Sequence, residues 1–232
     1  MIKPQFFKGL VEFNKIIAQD THHLRIRPQL PDVFDFNPGQ FVTITVAPMA
    51  KRSYSIASTP KQNYIDLLAD TKRGGLGSQF FVNAVAGQEV EVIGPLGIFT
   101  MRENDHPVMF WATGTGIVPF LSMIKDLLTT KASTKKIVLN CSFRFAEDIF
   151  GKEELEQLAK DHPNFTLNLY ISRPNEAWTG KSGRITEYFN TEKIDLAFDH
   201  YLCGAKEMIS DVTAKITEQG TPKEQIYHEQ YY

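Results

Sequence analysis

The sequence predicts an α+β protein of two domains: an antiparallel sheet closed into a barrel or sandwich over residues 1–102, then an α/β domain with a parallel sheet over 103–232. Up to about Thr100 the chain runs in short segments of period-two alternation, broken by Gly, Pro, Asn and Asp. Beyond Glu103-Asn104-Asp105-His106-Pro107 it changes to strands separated by longer helical patterns. Alternation with frequent turns marks an antiparallel sheet. Strand–helix repeats mark a parallel one, because each parallel crossover needs a helix to return the chain.

In the first stretch, strands are expected at Val11–Ile16, His23–Arg27, Phe41–Val46, Tyr64–Leu68 and Glu89–Ile93, with a further one through Arg52–Ser55. A helix is expected from Gly77 to Val85, where Phe80, Phe81, Ala84 and Val85 have helical spacing before Gly87 ends it. In the second stretch the strands are Val108–Thr113, Lys136–Phe143, Thr166–Ser172, His200–Cys203 and Gln225–Glu229. Helices fit Pro119–Thr130, Gly151–Asp161, Gly183–Asn190 and Ala205–Glu218. In such a domain, ligands belong at the carboxyl ends of the strands.

Composition narrows the function classes. The chain has 232 residues, 42% of them hydrophobic, which is ample for buried cores. Lys+Arg of 25 against Asp+Glu of 27 argues against a nucleic-acid partner. Its two cysteines, Cys141 and Cys203, cannot supply the four thiolates of an iron–sulfur cluster, and no metal site is expected. Met1–Leu10 lacks the apolar run of a secretory signal, and no stretch reaches the roughly 18 apolar residues of a membrane helix. The expectation is a cytoplasmic protein with no membrane insertion.

Five short segments carry chemistry. Thr113-Gly114-Thr115-Gly116-Ile117-Val118-Pro119 follows an apolar strand and opens a helix, with Pro119 suited to a first turn that needs no amide donor. Its glycines allow a tight turn and close approach of a pyrophosphate, although Pro119 stands where the usual dinucleotide fingerprint has a third glycine. Arg52, Ser53, Tyr54 and Ser55 place Arg52 and Tyr54 on one face of a strand and Ser55 on the other. Arg52 suits a phosphate and Tyr54 a flat ring, and Gly74-Gly75-Leu76-Gly77-Ser78 can complete a phosphate cradle at a helix start. Cys203-Gly204 ends a buried strand at the ligand edge of the second sheet, and Glu229-Gln230-Tyr231-Tyr232 puts a carboxylate beside two aromatic rings. Cys141 reads as a core residue.

In this order the segments resemble the ferredoxin–NADP reductase family. Arg52-Ser53-Tyr54-Ser55, approached through Pro38-Gly39-Gln40-Phe41, resembles its Arg-x-Tyr-Ser flavin motif, and Gly75-Leu76-Gly77-Ser78 its second flavin phosphate segment. Thr113–Pro119 resembles its nicotinamide loop, Cys203-Gly204 its Cys-Gly pair, and Glu229-x-Tyr231 its terminal acid and aromatic. One aromatic residue beyond Glu-x-Tyr is similar to the bacterial branch that serves ferredoxin or flavodoxin.

The resemblance implies an antiparallel Greek-key β-barrel that binds FAD, followed by an α/β nicotinamide-binding domain, with the two rings meeting at the cleft between them. Ser55, Cys203 and Glu229 are the expected catalytic residues, placed around the nicotinamide C4 and flavin N5. Arg52, Tyr54, Ser55, Ala69, Asp70, Gly75, Leu76, Gly77 and Ser78 are assigned to cofactor binding, as are Thr113, Gly114, Thr115, Gly116, Cys203 and Gly204. Tyr231 and Tyr232 share the role of covering the flavin or its adenine. Arg144, Arg173 and Arg184 match positions that hold a 2′-phosphate, which favours NADP(H) over NADH.

The implied activity is hydride transfer between NADP(H) and FAD with single electrons passed to or from a ferredoxin, a flavodoxin or a similar carrier. The alternatives are an NAD(P)H flavin reductase or the reductase component of an oxygenase. A flavin-binding regulatory or electron-transfer subunit is the non-enzymatic alternative.

Overall fold

The structure is a computed structural model that describes residues 2–30 and 33–231. The described residues divide into two compact units. One comprises residues up to Met101 together with Val118–Lys131; the other comprises Arg102–Ile117 and Ala132 onward.

The first unit is built on six antiparallel strands: β1 (Gln5–Ala18), β2 (Thr21–Pro28), β3 (Phe41–Ala47), β4 (Ala50–Ser55), β5 (Ile65–Asp70) and β6 (Glu89–Leu96). They lie in the order β4-β3-β6-β1-β2-β5, with β6 inserted between β1 and β3. Period-two alternation sends Val11, Leu24, Ile26, Val42, Ile44, Ile65, Leu67, Val90 and Val92 into one core. Register shifts between Val11 and Phe13 and between Ile16 and Ala18 bend the long β1, as sheet closure requires. The two outermost strands are joined at their ends by the Ile56–Leu67 bridge and by Ala57 N–H on Asp66 O at 2.9 Å, which closes the barrel.

One helix, α1 (Leu76–Asn83), seats Phe80 and Phe81 in this core. It ends earlier than its spacing predicts, because Ala84 is extended and the Asn14 side chain from β1 donates to Phe81 O and Ala84 O at 2.6 and 2.9 Å. Those bonds satisfy carbonyls that a longer helix would have used. The segment Val118–Lys131 also belongs to this unit. It forms α2 (Val118–Lys125) and a π turn over Asp126–Thr130, buried from Val118 to Ile124. Ser122 Oγ donates to Ser58 O at 2.7 Å, and Phe120 packs on Phe99 with centroids 5.9 Å apart.

The second unit carries six parallel strands: β7 (Val108–Thr113), β8 (Ile137–Phe143), β9 (Phe165–Ile171), β10 (Lys181–Ser182), β11 (Asp199–Gly204) and β12 (Ile226–Gln230). Their order is β10-β9-β8-β7-β11-β12. The connecting helices are α3 (Lys152–Asp161), α4 (Tyr188–Thr191) and α5 (Lys206–Glu218). Tyr188 of α4 and Met208, Ile209, Val212 and Ile216 of α5 cover the sheet face that presents Met109, Trp111, Val138 and Leu202. The helix expected at Gly183–Asn190 begins later, as a 3-10 turn at Ile185–Glu187 followed by α4. Gly183 has φ +102° and turns the chain out of β10, a strand too short to register as a periodic pattern.

A buried pair in this unit makes stability pH-dependent. Trp111 Nε1 donates to His200 Nδ1 at 3.2 Å, so the neutral imidazole carries its proton on Nε2, which has no partner among the described residues. Burial lowers the His200 pKa to about 4. The unfolded chain therefore takes up this proton first, and stability falls as pH drops from about 6.5 to about 4. At about 1.4 kcal/mol per tenfold change in proton affinity, the loss is about 3 kcal/mol. His200→Gln keeps an acceptor for Trp111 and is expected to remove this component. Urea unfolding of the wild type and the variant at pH 7 and pH 4 measures it, and equal pH sensitivity of the two would refute it.

Candidate cofactor sites

In the first unit the candidate residues gather where β4 meets the start of α1. Arg52 is exposed, Tyr54 is half-buried and Ser55 is buried, so exposure falls toward the end of β4 rather than alternating along it. The Tyr54 ring lies 4.9 Å from that of Phe81, centroid to centroid, and burial pushes its phenol pKa up to about 12. A Cβ on Gly77 would collide with the Tyr54 hydroxyl and lie 3.5 Å from the Arg52 side chain. Glycine at 77 is thus what lets the first turn of α1 settle onto β4.

Gly74, at φ +71°, and Gly75 face open space, and the first amides of α1 have no acceptor within the helix. Arg52 Nη1 bonds the adjacent Lys51 O at 2.8 Å. A cationic side chain, free amides and glycines with room beside them fit a pyrophosphate. These residues therefore match what FAD needs. Leu76 is exposed and Ser78 half-buried at the same helix start. Ala69 and Asp70 sit at the end of β5. Ala69 is buried, while Asp70 is exposed and accepts the Lys72 amide at 2.8 Å, shaping the turn toward Gly74.

In the second unit, two neighbouring strands end in loops that interlock. Thr113 closes β7, and Gly114–Ile117 form a 3-10 turn in which Gly114 has φ +53° and open space beside it. A Cβ on Gly116 would fall on the backbone carbonyl of Cys203, and one on Gly204, at φ +139°, would strike the Thr113 hydroxyl. Ala205 N–H donates to Thr113 Oγ1 at 3.1 Å. Thr113, Gly114, Thr115, Gly116, Cys203 and Gly204 therefore form one continuous edge, with amides and an open face where a dinucleotide phosphate fits.

Beside that edge, Cys203 pairs in register with Glu229, and Gly204 with Gln230. Tyr231 N–H donates to Gly204 O at 3.2 Å, and the Tyr231 side chain hydrogen-bonds the Cys203 thiol. Burial, with Glu229 adding to it, drives the thiol pKa far up, so Cys203 is a neutral S–H at physiological pH. Burial also lifts the Glu229 carboxyl to about 7. A carboxyl so placed exchanges a proton near neutrality. Tyr232 lies outside the described residues.

The three arginines stand at the carboxyl ends of consecutive strands. Arg144 follows β8, Arg173 follows Ser172 after β9, and Arg184 follows Gly183 after β10. All three are exposed, and among the described residues none has an acidic partner. Arg173 N–H donates to Arg144 O at 2.9 Å, which ties the first two loops together. Motif reading passed over Asn140 and Asn168, whose signal is a single side-chain amide at the centre of each of the largely apolar strands Ile-Val-Leu-Asn-Cys-Ser-Phe and Phe-Thr-Leu-Asn-Leu-Tyr-Ile.

Comparison with known proteins finds two family matches in order along the chain. Residues 8–101 match the family described as oxidoreductase FAD-binding domain, and residues 110–214 match oxidoreductase NAD-binding domain. The chain is 32% identical over 212 residues to ferredoxin--NADP reductase B of Sorangium cellulosum, covering 85% of this chain and 86% of that protein. It is 29% identical over 231 residues to the ferredoxin--NAD(P)(+) reductase component of the naphthalene 1,2-dioxygenase system of Pseudomonas putida, covering 98% of this chain and 70% of that one. The chain spans 58 to 70% of the length of the four dioxygenase-system relatives it matches. In fold it is similar to a ferredoxin NADP+ reductase from Neisseria gonorrhoeae solved with FAD and NADP, at TM-score 0.82 and 19% identity, covering 98% of this chain and 99% of that one. With both halves matched in order and a relative aligned over most of its length, the chain belongs to the ferredoxin–NADP reductase family of FAD- and NAD-binding oxidoreductases.

Proposed function

We propose that this protein exchanges electrons between NADP(H) and a one-electron carrier such as a ferredoxin or flavodoxin. The observation that carries this reading is the second unit's edge, where the paired loops at Thr113–Gly116 and Cys203–Gly204 adjoin Glu229 and Tyr231. Residues 1–102 are the part that would hold FAD, through Arg52, Tyr54, Ser55 and the amides of Gly75–Ser78, with Ala69 and Asp70 alongside. Residues 103–232 would hold the dinucleotide. When bound, FAD supplies the ability to take a hydride from a nicotinamide and release electrons singly.

The protein's own residues contribute placement and charge. Gly116 and Gly204 bring two backbones together into a pyrophosphate platform. Cys203, as a neutral thiol, offers bulk and a weak donor without a competing negative charge. Glu229 holds or releases a proton near pH 7, and Tyr231 shares the covering role assigned above to it and Tyr232. Ser55 presents a hydroxyl at the end of β4.

Three guanidinium groups at adjacent strand ends, with no acidic partner among the described residues, support NADPH over NADH, because a 2′-phosphate is what such a cluster would neutralise. Anaerobic mixing is the test. NADPH is expected to bleach the flavin absorbance of the holoenzyme at least tenfold faster than NADH at equal subsaturating concentration, and a flavin that neither nucleotide bleaches would overturn the enzymatic reading.

The likeness to dioxygenase reductase components favours a second reading, in which NADH is the donor and the carrier belongs to an oxygenase system. Equal or faster bleaching by NADH would select it. Among the described residues no helix is long and apolar enough to cross a membrane, and the cytoplasm, where NADPH is held reduced, is the compartment proposed here.

A further inference from the structure

The strand that presents Arg184 is only two residues long. β10 pairs with β9 at Lys181–Tyr170 and Ser182–Ile171, with Gly183 N–H on Ile171 O at 2.9 Å. So short an edge strand has few ladder bonds to hold its register. Side chains supply what the backbone lacks. Lys181 Nζ donates to Asn168 Oδ1 at 2.8 Å, and Asn168 Nδ2 donates to Asn140 Oδ1 at 2.9 Å. The row runs in one direction, from the exposed Lys181 through the half-buried Asn168 to Asn140, which is wholly buried in the middle of β8.

Stability alone gives no reason for Asn140. An apolar residue would pack there, whereas Asn140 Nδ2 finds no partner among the described residues, and a buried unpaired amide is costly. What Asn140 does is fix the orientation of Asn168, so that Asn168 turns its carbonyl oxygen toward Lys181. Lys181 is at the same time drawn over the Tyr170 ring, 5.4 Å from its centroid, and its own carbonyl accepts Trp178 Nε1–H at 3.0 Å. Backbone and side chain of Lys181 are both held, and its ammonium is turned onto the sheet.

We propose that Asn140, Asn168 and Lys181 are positioning residues that lock β10 in register and so hold Arg184 where it selects the 2′-phosphate of NADPH. This rests on the reading of the arginine cluster given above. It assigns Lys181 no direct contact with the phosphate, since its ammonium is spent on Asn168.

The experiment compares Asn168→Leu, Lys181→Met, Lys181→Arg and Arg184→Ala in the FAD-loaded protein. Readouts are KM and kcat for NADPH and NADH with ferricyanide as acceptor, calorimetric affinity for 2′,5′-ADP and 5′-AMP, and hydrogen exchange at the Gly183 amide. Asn168→Leu removes no charge, yet it is expected to raise the KM for NADPH and weaken 2′,5′-ADP about tenfold. It should leave kcat and the KM for NADH within twofold and speed exchange at Gly183. Lys181→Met should match it, Lys181→Arg should restore the wild-type values, and the Asn168→Leu/Lys181→Met double variant should be no worse than either single one.

If Lys181→Met weakens 2′,5′-ADP while Asn168→Leu does not, Lys181 is a direct phosphate contact and the positioning role is refuted. Unchanged Gly183 exchange in Asn168→Leu refutes the register lock whatever the ligand results. Arg184→Ala separates the underlying reading: if it leaves 2′,5′-ADP affinity unchanged, Arg184 is not a 2′-phosphate cation, and the proposal falls with that reading.

Discussion

Gly116→Val is expected to yield a protein that still binds FAD but whose flavin NADPH no longer reduces at usable concentrations, with KM raised at least a hundredfold. A Cβ at 116 overlaps the carbonyl of Cys203; the one is fixed to the backbone of the 3-10 turn after β7 and the other is backbone of the buried strand β11. Neither can rotate away as a side chain would. The loop after β7 must lift from the end of β11, which breaks the Ala205 N–H bond to Thr113 Oγ1 and spreads the amides proposed to hold the pyrophosphate. Overpacking of this kind costs about 1–3 kcal/mol of stability, so the milder Gly116→Ala is a useful companion. FAD content, read from the bound-flavin spectrum, tells a local defect from unfolding. Wild-type KM for NADPH in both variants would show that the loop does not carry the dinucleotide.

Glu229→Gln is expected to slow turnover about a hundredfold, the scale of losing one positioned acid–base group, and to flatten the pH profile. Burial lifts the Glu229 carboxyl to about 7, so the wild-type side chain is mostly protonated at pH 6 and mostly ionised at pH 8. A group that must donate its proton loses activity as pH rises through 7. The wild-type kcat is therefore expected to fall across that interval, whereas the glutamine variant, which has nothing to ionise there, keeps a low and level rate. Cys203 cannot substitute, because its thiol stays protonated throughout the range. A break near pH 7 that persists in Glu229→Gln would assign that titration to another group.

Much of the fold was legible because its strands are local patterns. Val42 and Ile44 alternate with half-buried residues and Val90 and Val92 with the exposed Glu89 and Glu91, and each pair can only face one core from a half-buried sheet. The continuous apolar run Val108-Met109-Phe110-Trp111-Ala112 reads as a strand covered on both faces, and it sits at the middle of the parallel sheet. Where the expectation missed, the cause was not local. A helix written from Gly183 onward overlooked that Gly183 is the left-handed turn leaving a two-residue strand, and β10 exists only because β9 is there to pair with it. The end of α1 was misplaced for the same reason, since Asn14, some 70 residues earlier, takes its final carbonyls.

The candidate site shows the same divide. Its residue types were readable in order along the chain, since a glycine turn after a strand or an arginine beside a tyrosine has a chemical meaning by itself. Sequence by itself thus determined the two kinds of sheet, the family, and the segments that carry the candidate cofactor residues. Tertiary structure decided why Gly77 and Gly116 must be glycine, that the Cys203 thiol is held neutral while Glu229 titrates near 7, and that Asn140, Asn168 and Lys181 join in one row. It also decided that Val118–Lys131 packs with the first unit. Periodicity and turn chemistry are properties of neighbours in the chain, whereas close approach, desolvation and hydrogen-bond direction depend on residues that only the folded chain brings together.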